Sequence, residues 1–458
     1  MQLLPSAVIT VLASIFLTTP TSGQALPEDS LIVVATADFI GQNTGKGGGL
    51  WYVSPDRATY TKITGHTSNL LWSNCVTVDA KTRFVYVGTL SRDPAGAGNI
   101  YRLMLSVQNA GKTVTVVKQD LLTKTAPSAG SISGITLRED KVWYVTDSPG
   151  RGEIGFVSTV GGQPTRVFQM QTPSVVGLGQ SITTNGREIY IGVSIPGNNK
   201  TANNLYSLDP DSKPVTLQPV GRYGNTSLGQ LTMTAEGNVF ASDFAGHGHL
   251  VDPVSKFGMV VNTQAAPQNS AHAGVFNPWR NEWTIGPGFS FSASREIHSY
   301  DLSANLWTKK PLGTAGVPGF PTGIGSCHEQ PFNHYGKGCV GLNKKEPRSG
   351  SWSAATIGKT LDLTLWDADG GSPAVALIGV RKQSIDLGSL GAPGCQLLVA
   401  PLVQIGVQLC GCGSSSINVR IPKNKSLSGA ELQGQWAVVT QANKLGLVSS
   451  DGVTIRIR

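Results

Sequence analysis

Over the first three hundred or so positions, apolar residues recur in short runs separated by polar, glycine-bearing loops. The run Asp29 to Thr36 (Asp-Ser-Leu-Ile-Val-Val-Ala-Thr) sets the type. Five later segments echo it: Phe84 to Val87, Val142 to Val145, Ile189 to Ile191, Val239 to Ala241 and Trp283 to Ile285. Short β-branched and aromatic runs bounded by turn residues predict strands. Each is followed by a polar loop and a second strand-like segment, beginning near Leu50, Ile100, Ile154, Leu205, Leu250 and Ile297. These starts lie 50, 54, 51, 45 and 47 residues apart. Reading backwards from each run gives a partner strand: Cys75 to Val78, Gly134 to Leu137, Ser181 to Thr183, Leu231 to Met233 and Gly274 to Phe276. Turns such as Asn185-Gly186 and Glu236-Gly237 between the partners suit hairpins. No sustained helical period runs through the repeats.

Four short strands repeating about every fifty residues predict the blades of a β-propeller. The first repeat lacks its inner strand, and a spare one, Thr322 to Gly325, follows the last repeat. Set beside Leu31 to Thr36, it would complete a blade from both ends of the ring and leave no open gap. The expectation is an all-β chain with a six-bladed β-propeller over residues 26–327. After Cys327 the composition shifts. His328 to Ser351 holds Pro331, Pro347, several glycines and the basic run Lys344-Lys345-Glu346-Pro347-Arg348, and reads as a linker with little secondary structure. From 352 to 458 apolar and polar residues alternate again, in Leu361 to Trp366, Ala374 to Val380, Gln396 to Ala400, Ile417 to Ile421, Gln435 to Val439 and Val453 to Ile457. This spacing predicts a small antiparallel β-sandwich.

The first 25 residues carry an apolar run, Ala7 to Leu17, too short to span a bilayer but matching a signal-peptide core, with Gly23 or Ala25 as cleavage points. No other stretch is long and apolar enough for a transmembrane helix. The chain is therefore expected to be secreted or extracellular, with association at the cell surface open to it. Export permits disulfides among Cys75, Cys327, Cys339, Cys395, Cys410 and Cys412, and spacing alone does not choose the pairing. Cys410-Gly411-Cys412 invites a metal or redox reading, but no second Cys or His pair stands at zinc-ligand spacing nearby. Charged residues make up 14% of the chain and the net charge is +8. Without a dense basic cluster, nucleic acid is excluded as the expected partner.

Two resemblances add to this. The region 334–458 resembles a domain appended to many large secreted proteins of environmental bacteria. It does so through His334-Tyr335-Gly336-Lys337-Gly338-Cys339, Ser372 to Gly379, Leu390-Gly391-Ala392-Pro393-Gly394-Cys395, Gln435-Trp436-Ala437 and Asn443 to Gly452. That resemblance implies an extracellular accessory domain without catalysis. The preceding repeats resemble NHL-repeat and lactonase-like propellers in architecture. The metal-binding acid set of gluconolactonase-like enzymes is not matched position by position, so the resemblance implies a fold and not an activity.

Chemistry-bearing residues fall in the loops between and within repeats: Asp38, His66, Asp93, Asp147, Asp243, His247, His249 and His272, with Trp72 and Phe289 for stacking. Asp38, Asp147 and Asp243 follow the second strand of three repeats, and Asp93 is near the same place in a fourth. Such acids either hold an oxygen-liganded cation or cap turns. Ser242-Asp243-Phe244-Ala245-Gly246-His247-Gly248-His249 sets a carboxylate before two alternating histidines, a pattern suited to a divalent metal or to acid–base work. No nucleophile elbow, phosphate loop or zinc-protease helix is present. The expected function is binding of a small molecule, glycan or protein on the loop face, through Asp38, His66, Asp147, Trp72 and Phe289. The alternative is a metal-assisted hydrolase or lyase centred on Asp243, His247, His249 and His272.

Overall fold

Strand burial falls off from the middle of each repeat outwards. Every residue of Leu31–Thr36, Val85–Thr89 and Val239–Asp243 is buried, whereas in the outer strands Tyr60–Thr64 and Gly258–Val260 only Ile63 is. A strand covered on both faces needs a continuous apolar run, which is why these segments do not alternate. The computed structural model describes residues 24–36, 48–90, 98–124, 130–147, 152–170, 178–195, 202–224, 227–234, 237–253, 255–262, 266–267, 272–286, 296–308, 320–351 and 353–458. Most of the expected signal peptide lies outside these residues. Among them there is no α-helix, and no helix is long and apolar enough to cross a membrane.

The sheets resolve into six four-stranded antiparallel units. Their innermost strands are Phe320–Ser326, Ser73–Val78, Ile132–Arg138, Leu178–Thr184, Leu228–Met233 and Ala273–Asn277, and each touches the next in a closed cycle. This is a β-propeller. Phe320–Ser326 pairs with Leu31–Thr36, from Leu31↔Ser326 to Thr36↔Phe320, so the first unit takes strands from both ends of the ring. The outer strands of the first two units also pair, in parallel, through Ile63↔Val114 and Thr64↔Thr115. Trp143, Trp283, Tyr86, Tyr144 and Tyr190 are buried between units, each contributing on the order of 2–3 kcal/mol of apolar burial.

At one end of the inner strands, each unit places a left-handed residue before its second strand: Asp29, Arg83, Glu139, Gly186, Gly237 and Asn281. The C-terminal sheets cover this end. A five-stranded sheet runs Phe332–Tyr335, Leu447–Arg456, Glu431–Val439, Pro373–Asp386, Gln396–Gln408, and a three-stranded sheet runs Arg348–Ser351, Thr360–Trp366, Ser415–Arg420. They enclose Trp436, whose indole N–H donates across to the Thr364 carbonyl at 3.0 Å. The expected linker is corrected here: 328–351 carries two strands, one pairing with Leu447–Arg456 and one with Thr360–Trp366. Both are four residues long; Phe332–Tyr335 finds its partner far along the chain, from Phe332↔Ile455 to Tyr335↔Gly452, and Arg348–Ser351, Arg-Ser-Gly-Ser, carries no apolar residue, so no local hydrophobic pattern announces them.

The two parts meet through specific contacts. Arg187 forms a two-pronged pair with Glu346 at 2.6 and 2.8 Å. The His334 amide donates to the Asn185 carbonyl at 2.8 Å. A Cβ on Gly186, already at φ 97°, would stand 2.7 Å from the His334 carbonyl oxygen, so only glycine allows this approach. Lys337 pairs with Asp209, and the Trp279 indole donates to the Glu329 carbonyl at 2.7 Å. Asp29, 5% exposed, accepts from Arg458, from Asn277 at 3.0 Å and from Arg280 at 3.4 Å. Burial opposes its charge, but the hydrogen bonds from Arg458 and Asn277 outweigh that and bring its pKa down to about 2.

Candidate functional site

The inner strands are irregular at one recurring place. An extra residue interrupts the pairing at Asn74, Ser133, Gln180, Gly229–Gln230 and Thr322. A bulge re-aims a side chain, and here it sends a polar one onto neighbouring inner strands. Asn74 donates to the Ile132 carbonyl at 2.9 Å and Ser133 to the Gly179 carbonyl at 2.7 Å. Gln230 donates to the Ile324 carbonyl at 2.7 Å and accepts from the Gly274 and Ile324 amides, each at 3.1 Å. Thr322 donates to the Ser73 carbonyl at 3.3 Å. Sequence reasoning missed these residues. The available signal was a polar residue at the same step of five inner strands.

The axial cavity lined by Ser133, Gln180, Gln230 and Thr322 has a volume of about 160 Å³, below the roughly 300–1,000 Å³ of small-molecule pockets. Its floor is His328, Gln330 and Asn333, from the segment leading into the C-terminal sheets. His328 Nδ1 lies 2.6 Å from the Ser326 hydroxyl. His272 enters from the other end and shares a hydrogen bond of 3.2 Å with Gln180. Burial lowers the pKa of both imidazoles to about 4, so both are neutral at pH 7.

Asp243, His247 and His249 do converge. Asp243 ends its strand, and the turn that follows folds back onto its carboxylate. Oδ1 accepts from the Ala245 and His247 amides at 2.9 and 2.8 Å, and Oδ2 meets His249 Nε2 at 2.9 Å. Asp243 is 1% exposed and His249 5%. Burial raises the Asp243 pKa, while the donors from His249 and the His247 amide lower it further, so it stays ionised. His247 Nδ1 stands 3.7 Å from Oδ1, and its side chain is partly exposed. His272 does not join them: its ring lies against Phe244, centroids 4.8 Å apart, and turns to Gln180.

The other candidates stand separately. Asp147 accepts from the Ser131 amide at 2.9 Å, and burial raises its pKa. His66 donates from Nδ1 to the Thr67 carbonyl at 2.9 Å. Trp72 ends a 3-10 turn and is half-buried. Asp38, Asp93 and Phe289 lie outside the described residues. Among the described residues no three His, Cys, Asp or Glu side chains are grouped to hold a metal. The Asp243 oxygens are already engaged by two amides and an imidazole, so the set does not fit a resident metal without losing those bonds.

No family model matches the chain, and no curated protein matches it. Among solved structures, it is similar to a chain of a nidogen/laminin complex, at 12% identity and TM-score 0.48, over 66% of this chain and 99% of that one. The periplasmic gluconolactonase of Pseudomonas aeruginosa aligns at 12% identity and TM-score 0.42, over 65% and 98%. YCF48 from Cyanidioschyzon merolae aligns at 13% identity and TM-score 0.35, over 72% and 94%. The propeller assignment rests on the order of the sheets.

Proposed function

We propose that this chain is an exported binding protein whose ligand or partner docks on the propeller end that carries Asp147, Asp243 and His272, with the C-terminal sheets capping the other end. One observation carries this reading: the acid–histidine cluster satisfies itself. Asp243 takes three donors from the turn it begins and the strand that follows, which is the work of a loop fastener and occupies most of the acceptor capacity of its carboxylate. The axial cavity is too small for a sugar-sized substrate, which favours a surface ligand. One observation favours the second reading, a metal-assisted hydrolase or lyase: partly exposed His247 stands beside an ionised carboxylate. A divalent cation there would draw on Asp243, His247 and His249 and break the Asp243–His249 bond.

The test is to equilibrate the protein with Ca²⁺, Mn²⁺ or Zn²⁺ alone and measure bound metal per chain. The same samples are then screened for melting shifts and turnover against soluble polysaccharides and sugar lactones. The expected result is a melting shift with the ligand recovered intact and no stoichiometric metal. Stoichiometric metal that is lost in the His247→Ala, His249→Ala double variant, together with lactone opening, would establish the hydrolase instead. We also place the C-terminal unit at 332–458. A fragment 328–458 is expected to fold alone, while 352–458 lacks two strands and the Cys339 half of a disulfide and is expected not to. Dispersed amide resonances from 352–458 would reject that boundary.

A further inference from the structure

The C-terminal sheets hold two disulfides of opposite character. Cys339–Cys395 spans 56 positions, and both cysteines are buried. Cys410–Cys412 spans two positions, and both are exposed. A bridge stabilises mainly by restricting the unfolded chain, and the restriction grows with loop length. The first is therefore a staple, while the second closes so small a ring that stapling does not account for it. Exposed bridges are the ones open to thiol exchange.

The surroundings of the small ring are arranged unequally about its two sulfurs. The Ser414 amide donates to Cys410 Sγ at 3.4 Å, and the Ser414 hydroxyl lies 3.3 Å from that sulfur and 3.0 Å from Cys412 Sγ. Hydrogen bonds to a thiolate lower its pKa and make it a better leaving group. Cys412 lines a cleft of about 780 Å³ between the propeller and the C-terminal sheets, walled by Phe257, Met259, Trp366, Arg348 and Ser414. One sulfur thus lines an open, peptide-sized space, and the other alone accepts the Ser414 amide, with the Ser414 hydroxyl between the two and within reach of either.

We propose that Cys410–Cys412 is a redox-active disulfide that oxidises thiols carried by small peptides entering this cleft. A substrate thiolate attacks Cys412 Sγ. The new bond is a mixed disulfide, and the electrons of the broken S–S bond leave on Cys410 Sγ, where the Ser414 amide and hydroxyl hold the thiolate. A second substrate thiolate then attacks the substrate sulfur, releasing Cys412. Two thiols become one substrate disulfide, and their two protons end on Cys410 and Cys412, so each reaction consumes one protein disulfide. Buried Cys75 and Cys327 take no part. Burial raises both thiol pKa values, that of Cys327 to about 11. This activity is independent of what binds the propeller.

The test treats the full-length native protein with reduced glutathione, traps thiols with an alkylating agent over time and maps them by mass spectrometry. Cys410 and Cys412 are expected to be labelled while Cys339–Cys395 stays closed and circular dichroism is unchanged. Oxidised glutathione should form in proportion. Ser414→Ala should slow the opening roughly tenfold, by removing one hydrogen bond to a charged leaving group. Three results would overturn the proposal: a small ring that opens only on unfolding, both bridges opening at one rate, or a Ser414→Ala rate equal to that of the native protein.

Discussion

The two ends of the propeller use the same kinds of side chain differently. At the covered end, charged groups reach between modules: Asp29 to Arg458, Arg187 to Glu346, Lys337 to Asp209. At the other end they stay within one unit, as Asp243 with His249 and Asp147 with the Ser131 amide. An ion pair between two modules fixes their orientation. A pair within one turn fixes only that turn and leaves the surface around it for something else. A carboxylate beside a histidine is therefore weak grounds for catalysis until the donors around it have been counted.

Acidification should test this contrast hardest. His272 and His328 approach one cavity from opposite ends, and both are held near a pKa of about 4 against an ordinary 6.5. The unfolded chain binds protons that these folded imidazoles do not. Stability should therefore fall as pH drops from about 6.5 towards 4, by on the order of 3 kcal/mol for each histidine. Asp29 behaves in the opposite sense. Its folded pKa of about 2 lies below the ordinary 3.8, so its contribution is complete above pH 4 and lost between about 4 and 2. Thermal melts across this range should show two separate losses, and His328→Gln should flatten the upper one. A melting temperature constant from pH 7 to 4 would mean that the imidazoles are not buried and neutral.

Asp29→Ala comes next, with an expected cost of about 3 kcal/mol, because Arg458, Arg280 and Asn277 all lose their acceptor at a buried position. A cost below about 1 kcal/mol in urea unfolding would show that the covered end is held by apolar contact instead. The smallest effects lie at the other end. His249→Ala should cost about 1–2 kcal/mol by leaving Asp243 Oδ2 without its donor. Partly exposed His247→Ala should stay within about 0.5 kcal/mol. Equal costs for the two histidines would dissolve the distinction drawn between them.

What could be read from the sequence follows from the range of the forces involved. Runs such as Leu31 to Thr36 and Val142 to Val145 announce strands because their burial is a property of the run itself. The closing strand was legible because one repeat visibly lacked a partner. Phe332–Tyr335 was not legible, since it is a strand only because a distant segment pairs with it, and Arg348–Ser351 was not, since its four residues include no apolar side chain to mark a strand. The site was half legible. Adjacency in sequence brought Asp243, His247 and His249 together correctly, because one tight turn joins them. His272 was grouped with them by position in the repeat, but it turns inward to Gln180, a direction set by the bulge in a strand two units away. The polar inner-strand residues escaped notice because their partners are backbone atoms of other repeats.

The pairing that closes the ring has a mechanical side. Leu31–Thr36 and Phe320–Ser326 run antiparallel, and their pairing continues through the Asp29 amide to the Cys327 carbonyl and the Cys327 amide to the Ser30 carbonyl. Tension applied at residues 29 and 327 would therefore peel this seam bond by bond like a zipper, the weakest way to load a strand pair. The Asp29 clamp and the Trp279–Glu329 bond sit at the pull-tab, where peeling would begin. The C-terminal sheets thus serve the propeller as a latch, and the lifetime of the closed ring is set less by the length of its seam than by the first few contacts at one end.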